Sequence, residues 1–428
     1  MKKLFGSIIT FALISVLMIG CSSNNEVSNN ETDSTDASNQ KQVTLELFTT
    51  LGSDLEQEAF ETVIAAFTEE YPHIKIDANY PGGGYEDLLR VKMAANDMPD
   101  LFDTHGWSQL RYGEYVADLQ DMAWVEHLDP AMDQILKDET GKVYAYPLNQ
   151  AKDGYIYNAS LLDEYGIEAP TTFDDFIEAL KTIKEKSNGE VTPLFFGGGE
   201  SWTLAQFVDQ MLTPLLITHP DNAFGDQLLD GSFDWSNFTY LAEKFKEIHD
   251  EGLLNTDVLT ARHSQAAELL AQGKVGFLFT GAAIGMDAVS FNPDLKVGIA
   301  PTPAVHTGDT PSWIGGERFT LAAWKASEKL EEAKLFIDFI SQPEHAKALA
   351  EATSLPAALT NVSTDNYFNE YFDTFSDIEI QPYFDRVFLP SGMWDVMATT
   401  SAELLAGTMT PEQVTKVMED EYNRLRNQ

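Results

Sequence analysis

The chain has 428 residues, 43% hydrophobic and 22% charged, a composition that supports buried cores and excludes global disorder or a fibrous repeat; at roughly 150 residues per domain it predicts two to three domains. Against 27 Lys and Arg stand 68 Asp and Glu, a formal charge of −41, which repels phosphate backbones and argues against nucleic-acid binding. The lone cysteine, Cys21, excludes an intramolecular disulfide framework and a thiolate metal site.

In chain order, Lys2 and Lys3 precede an apolar run at 4–19, too short to span a bilayer comfortably. Gly20, Cys21 and Ser22 follow, the bacterial lipoprotein signal pattern, with Met18 where Leu is usual. Lipidation of Cys21, palmitate included, would hold the protein on the outer face of the cytoplasmic membrane. Residues 22–42, nearly all Ser, Asn, Thr, Asp and Glu, read as a disordered tether. Residues 43–48 alternate like a strand. Ser53 and Glu56 form a capping box for a helix whose apolar face is Leu55, Ala59, Phe60, Val63, Ile64 and Phe67. A strand at 74–78, a helix at 85–96 and a strand at 100–103 complete a βαβαβ pattern, which predicts a parallel sheet. The pattern restarts with a strand at 154–158, a helix at 173–186 capped by Thr172, and a strand at 194–196. Further strands are predicted at 275–279, 295–300 and 319–323, and the C-terminal third is mostly helical, with Thr410 and Pro411 opening its last helix. Two α/β lobes are the natural reading.

The chain contains no zinc-protease, nucleophile-elbow or P-loop motif. Its eight His residues show no i, i+4 pair. Among so many carboxylates a glycosidase pair can always be drawn, which empties that proposal. Asp221, Asp226, Asp230 and Asp234 lack EF-hand spacing and read as a solvated loop. No catalytic residue, metal or cofactor is predicted. Loop aromatics say more: Trp107 follows the third strand, Trp202 follows three glycines, Trp313 precedes Gly315 and Gly316, and Trp394 follows Gly392. In α/β folds ligands sit at the carboxyl ends of strands, where such loops converge, and indole faces cover the C–H faces of sugars. Trp124, Trp235 and Trp324 fall in core-like patterns.

Several segments resemble bacterial family 1 extracellular solute-binding proteins, the carbohydrate receptors of ABC importers. Residues 60–76 are similar to the family's FxxxYPxIKV, 94–102 to AAGxxPDVF, 141–158 to GKxYAxP and xYYN, and 166–173 to GIxxPxTW with Phe173 in place of Trp. Residues 272–277, Gly315 with Gly316, and 333–340 continue the match. The resemblance implies a two-lobed periplasmic-binding-protein-like α/β fold with three hinge crossings, near 146–152, 313–321 and 355–362. It implies an N-terminal lobe of 43–148 plus 316–358 and a C-terminal lobe of 149–315 plus 359–428. Ligand binds between the lobes and favours their closed form, which docks on permease subunits powered by an ATPase; the receptor is expected to be a monomer and not an enzyme.

By the same resemblance, Trp202, Trp313 and Trp394 lie where family members place stacking aromatics, and Gly281 where backbone approaches ligand. Trp107 joins them from its loop position. Gly315 and Gly316 are expected to offer backbone N–H groups. Asn149, Gln150 and Lys152 at the first crossing, Thr50 and Ser53 after the first strand, and Asp103 and His105 after the third are candidate polar contacts, with capping or solvated roles as the alternative. Glu200 and Asp395 beside tryptophans are candidate acceptors or plain surface charges. Several tryptophans favour an oligosaccharide of two or more units. The acidic chain disfavours uronates, although a pocket holding Arg318, Arg386 or Lys152 would reopen that option. The alternatives are a non-sugar solute such as glycerol phosphate, which needs an Arg/Lys cluster in the cleft, and a cell-surface glycoside hydrolase.

Overall fold

The computed structural model describes residues 41–427; the signal, Cys21 and almost all of the tether lie outside them. The alternation in the first segment makes strand β1 (Val43–Phe48), which buries Leu45 and Leu47 completely. The helix Asp54–Glu70 starts at Ser53 with both hydrogen bonds of the capping box in place. Its apolar face seats Phe67 edge-on against Phe336 and Phe339, at 5.0 and 5.3 Å. Strands β2 (Ile74–Asn79) and β3 (Leu101–Phe102) then pair parallel on either side of β1, as the βαβαβ pattern predicts.

The chain leaves this sheet after β4 (Tyr146–Pro147) and enters β5 (Ala151–Asn158), β6 (Thr192–Leu194), β7 (Val275–Thr280), β8 (Val297–Pro301) and β9 (Trp313–Gly316). It returns as β10 (Thr320–Ala323), and β11 (Ile380–Pro382) follows later. The first sheet has the order β2-β1-β3-β10-β4, and β10 is antiparallel to both its neighbours. The second has the order β11-β9-β5-β7-β6, with β8 also paired to β5. Both sheets are therefore mixed.

Each sheet carries its own core. Phe60, Phe67, Phe102 and Phe336 centre the first. On β5, Tyr155 and Tyr157 face the large second core with Phe176 and Phe277, while Ile156 points to a smaller cluster with Leu278 and Trp313, the two-residue period of a strand buried on both faces. Trp124 and Trp235 are buried in cores, as their patterns predict. Two short passages, 148–150 and 317–319, join the sheets. A third follows the helix Pro343–Ala352: Leu359 and Val362 pack on the first core, and Phe368 lies in the smaller cluster of the second sheet.

Candidate ligand-binding site

The first lobe's contribution is set by the loop after β3. Asp103 is fully buried, and its Oδ1 accepts hydrogen bonds from the Thr320 amide at 3.0 Å, the Thr320 hydroxyl at 2.9 Å and the His105 amide at 2.8 Å. Its Oδ2 accepts one from Thr50. This staple holds His105 and Gly106 at φ 47° and 88°, and Trp107 follows at the edge of the first core, partly buried against it. Arg111 lies 3.9 Å from the Trp107 ring centre, and Arg386 of the second lobe 4.8 Å. Glu86 pairs with His105 at 2.9 Å and Arg111 at 2.5 Å; burial pushes its carboxyl up, but the hydrogen bond with His105, the Arg111 guanidinium and the Tyr112 hydroxyl together outweigh burial and hold it below the usual range.

The second lobe answers with Asp153 on β5, 3% exposed. Its Oδ2 accepts from Tyr383 Oη at 2.7 Å and Gln206 Nε2 at 3.4 Å, while Oδ1, 3.7 Å from Arg318, has no hydrogen-bond partner. Trp202 opens the helix Trp202–Leu216 and is 38% exposed, its ring 4.7 Å from that of His263. Burial lowers the His263 pKa. Trp394 projects from the helix Met393–Leu405.

These groups line an inner chamber of about 400 Å³. Glu86, Trp107, Asp385 and Trp394 stand where it meets an outer groove of about 1000 Å³. A third cavity of about 470 Å³ lies past Trp107, Tyr383 and Arg386. Arg386 closes that side: its guanidinium sits 3.9 Å from the Tyr383 ring centre and donates to the Glu317 carbonyl at 3.0 Å. Behind the chamber, the Asp385 amide donates to Asp209 Oδ1 at 2.7 Å. Burial, then the mutual repulsion of the two carboxyls, pushes Asp209 well above the ordinary range, and burial raises Asp385 as well. One proton shared by the pair relieves both effects.

Of the residues singled out from the sequence, Trp107, Trp202, Trp394, Gly281 and His105 line the inner chamber. Gly281 has a packing reason to lack a side chain: a Cβ there would meet Asp153 Oδ1 at 2.5 Å and Arg318 at 3.0 Å. Trp313 is a correction. It is fully buried against Phe372 and Phe375, and its indole N–H donates to the Phe375 carbonyl at 3.3 Å. Asp103 is likewise consumed by the staple. Asn149, fully buried, donates to Thr353, and Gln150 is buried beside it in the crossing. Gly315 and Gly316 sit in the β5 ladder rather than free to meet a ligand. Side chains there would collide with the Ala151 carbonyl at 2.3 Å and Ile135 at 2.1 Å. Gly315 does border the third cavity. Lys152 lies over the Phe372 ring at 5.6 Å and lines none of the three cavities. Thr50 and Ser53 line none of them either, and the Ser53 hydroxyl accepts from the Glu56 amide as a cap. Glu200 is absent from all three linings, and Asp395 borders the outer groove. Asp230 and Asp234 of the acidic loop accept from the Ser232 and Ser236 amides.

The sequence reading missed Asp153, Gln206, His263, Tyr383 and Asp385 as site residues. Only Asp153 carried a local signal, as a carboxylate inside an otherwise buried strand. Arg318 and Arg386 do line the chamber, the condition set for reopening an acidic ligand. Their charge is answered locally: Asp153 faces Arg318, Asp385 lies beside Arg386, and Glu86 pairs with Arg111.

Comparison with known proteins agrees with this architecture. Residues 53–347 match the family described as bacterial extracellular solute-binding protein. The melibiose/raffinose/stachyose-binding protein MelE of Bacillus subtilis is 49% identical over 428 residues, covering 100% of this chain and 98% of its own. A Bacillus licheniformis sugar transporter protein, solved in complex with stachyose, is 57% identical with a TM-score of 0.83, over 89% of this chain and 100% of that one. A Bacillus subtilis binding protein solved in an open conformation is 51% identical with a TM-score of 0.86, over 90% and 98%. With two lobes, a cavity between them and a family match across most of its length, this chain belongs to the bacterial extracellular solute-binding proteins.

Proposed function

We propose that the chain is an extracellular receptor that binds a neutral oligosaccharide between its lobes and delivers it to the permease of an ABC importer. The observation that carries this is the inner chamber. It sets the indoles of Trp202 and Trp394 beside the buried carboxylates of Asp153 and Asp385, and Asp153 Oδ1 there has no hydrogen-bond partner. Buried acceptors need donors, and a sugar brings hydroxyls and flat C–H faces together. The locally balanced arginines favour a neutral ligand, and the Bacillus subtilis and Bacillus licheniformis relatives, named for or solved with such sugars, support the same class.

Closure follows from the geometry. A ligand that touches Trp107 and His105 on one lobe and Trp202 and Asp153 on the other gains contacts only when the lobes meet, so it shifts the population toward the closed form. We place the lobe boundaries at the crossings 148–150 and 317–319 and in the segment after Val362, because Leu359 and Val362 still pack on the first core. The receptor acts as a monomer held on the outer face of the membrane through a lipid on Cys21. Trp107, Trp202, Trp394, Gly281 and His105 form its ligand contacts.

The second reading is an acidic solute, because five arginines border the cleft, Arg318 and Arg386 in the chamber and Arg90, Arg111 and Arg426 along the groove. Melting temperature and tryptophan fluorescence decide between them, with melibiose, raffinose, stachyose, a uronate-containing oligosaccharide and glycerol 3-phosphate as ligands. A neutral sugar present at 100 times its Kd should add about 2.7 kcal/mol of stability. Stabilisation by an acidic ligand alone, or a flat response, would overturn the proposal. Release of reducing ends would move the chain to the glycoside hydrolases.

A further inference from the structure

We infer that Arg386 is a positioning residue that clasps the two lobes together and scales the affinity for every sugar by one common factor, without choosing among them. This rests on the oligosaccharide and closure readings above and goes beyond them by assigning part of closure to a contact the protein makes with itself.

The two ends of the clasp are anchored in different lobes. Arg386 lies on the short helix Phe384–Phe388, which packs on the helix Trp202–Leu216. Phe384 and Leu389, on either side of it, are buried in the large second core, and the Asp385 amide is tied to Asp209. Across the cleft, Gly106 and Trp107 follow the Asp103 staple of the first lobe. The guanidinium spans this gap. It lies 3.9 Å from the Tyr383 ring centre in its own lobe and 4.8 Å from that of Trp107 in the other, and Nη1 donates to the Glu317 carbonyl in the crossing at 3.0 Å. Gly106, at φ 88° and without a Cβ, lets first-lobe backbone lie against the guanidinium, where a Cβ would come within 1.8 Å of Nη1. Arg111, also over Trp107, adds a weaker contact between the lobes, from Nη2 to the Ser391 hydroxyl at 3.4 Å.

Each anchor is fixed in its own lobe, so the contacts of Arg386 with Trp107 and Gly106 exist only when the lobes meet. A cation over an indole is worth more once water is excluded, and Arg386 Nε is already shut off from water here. An interaction confined to one form shifts the population toward that form. The groups it joins are the protein's own, so the shift is the same whichever sugar fills the chamber, and the apparent affinity for each rises in proportion to the competent fraction. Arg386 does line the chamber, which makes direct reading of the sugar the rival account. That account requires a loss that depends on the hydroxyls each sugar presents. Kinetics separate the two further. Sugar enters a chamber between lobes only while they are apart, so the clasp forms after entry and is felt in the dissociation rate.

The test is calorimetry and stopped-flow fluorescence on the full chain, as wild type, Arg386→Met and Arg386→Lys, with melibiose, raffinose and stachyose. The wild type is titrated first; if none of the three binds, the oligosaccharide reading itself falls. Given binding, Arg386→Met, which keeps the length of the side chain and loses its charge, should weaken every sugar by one factor of about tenfold or more, equal among them to within about threefold. The loss should lie in the dissociation rate, and Arg386→Lys, which returns a cation to the face of Trp107, should recover part of it. Factors that differ among the sugars by more than about threefold, or a loss confined to the association rate, would overturn the inference by making Arg386 a sugar contact. Unchanged affinity in Arg386→Met would overturn it too, since the lobes would then close without the clasp. Urea unfolding of the sugar-free variants reports whether they fold; should Arg386→Met not fold, Arg386→Lys carries the same comparison of factors against the wild type.

Discussion

Glu317 lies in the crossing between β9 and β10 and is 2% exposed. Its carboxylate accepts hydrogen bonds from the hydroxyls of Ser108, at 2.7 Å, and Thr104. Burial nevertheless dominates and pushes its pKa from 4.5 up to about 7, with Arg386 only partly compensating. A folded-state pKa above the unfolded value means that the folded protein holds this proton more tightly. The resulting stabilisation is fully present below pH 4.5 and is lost as pH rises through about 7. At about 1.4 kcal/mol per pH unit, that interval amounts to about 3 kcal/mol. Glu317→Gln keeps the shape and the hydrogen-bonding capacity but cannot ionise. Urea unfolding of both proteins between pH 4.5 and 8.5, followed by tryptophan fluorescence, isolates the effect, because the other carboxylates titrate identically in the two. The wild type should lose about 3 kcal/mol relative to the variant across that range, most of it between pH 5 and 7.5. Parallel pH profiles would show that Glu317 is already ionised in the folded state, and would refute the argument from burial.

The remaining predictions concern the cleft and its supports. Gly106→Ala should weaken sugar binding by about tenfold or more and leave the ligand-bound protein extended in small-angle scattering, because its Cβ would meet Arg386 Nη1 at 1.8 Å across the lobes. Trp313→Ala should cost about 3–5 kcal/mol in unfolding experiments, the price of a large core cavity, and leave the Kd of the folded fraction unchanged; a large Kd effect would restore a stacking role. Trp202→Ala should show the opposite split: melting temperature unchanged at 38% exposure, and calorimetric affinity reduced by about tenfold through loss of the indole face. Ser53→Ala should lower stability by about 1 kcal/mol through loss of the helix cap, without altering affinity.

Elements with a local cause were legible in the sequence. The alternation of β1, the capping box at Ser53 and the βαβαβ run need only neighbouring residues, and the structure contains each of them. Strand β9 was not legible, because Trp313, Gly315 and Gly316 look the same whether a ligand or the protein's own backbone fills the space beside them. Here the Ala151 carbonyl and Ile135 fill it, so the glycines mark close packing and the tryptophan belongs to the core. The chamber is harder still, since Asp153 and Tyr383 are 230 residues apart and meet only through the tertiary fold. Total charge was the least informative guide to the site. A chain at −41 gives no reason to expect arginines around its cleft, yet Arg111, Arg318 and Arg386 gather there, each facing a carboxylate. The charge excess resides on the solvated surface, where it governs solubility and encounter. The cleft obeys the separate requirement that buried charges be paired, and that local balance, invisible in the composition, is what suits it to an uncharged ligand.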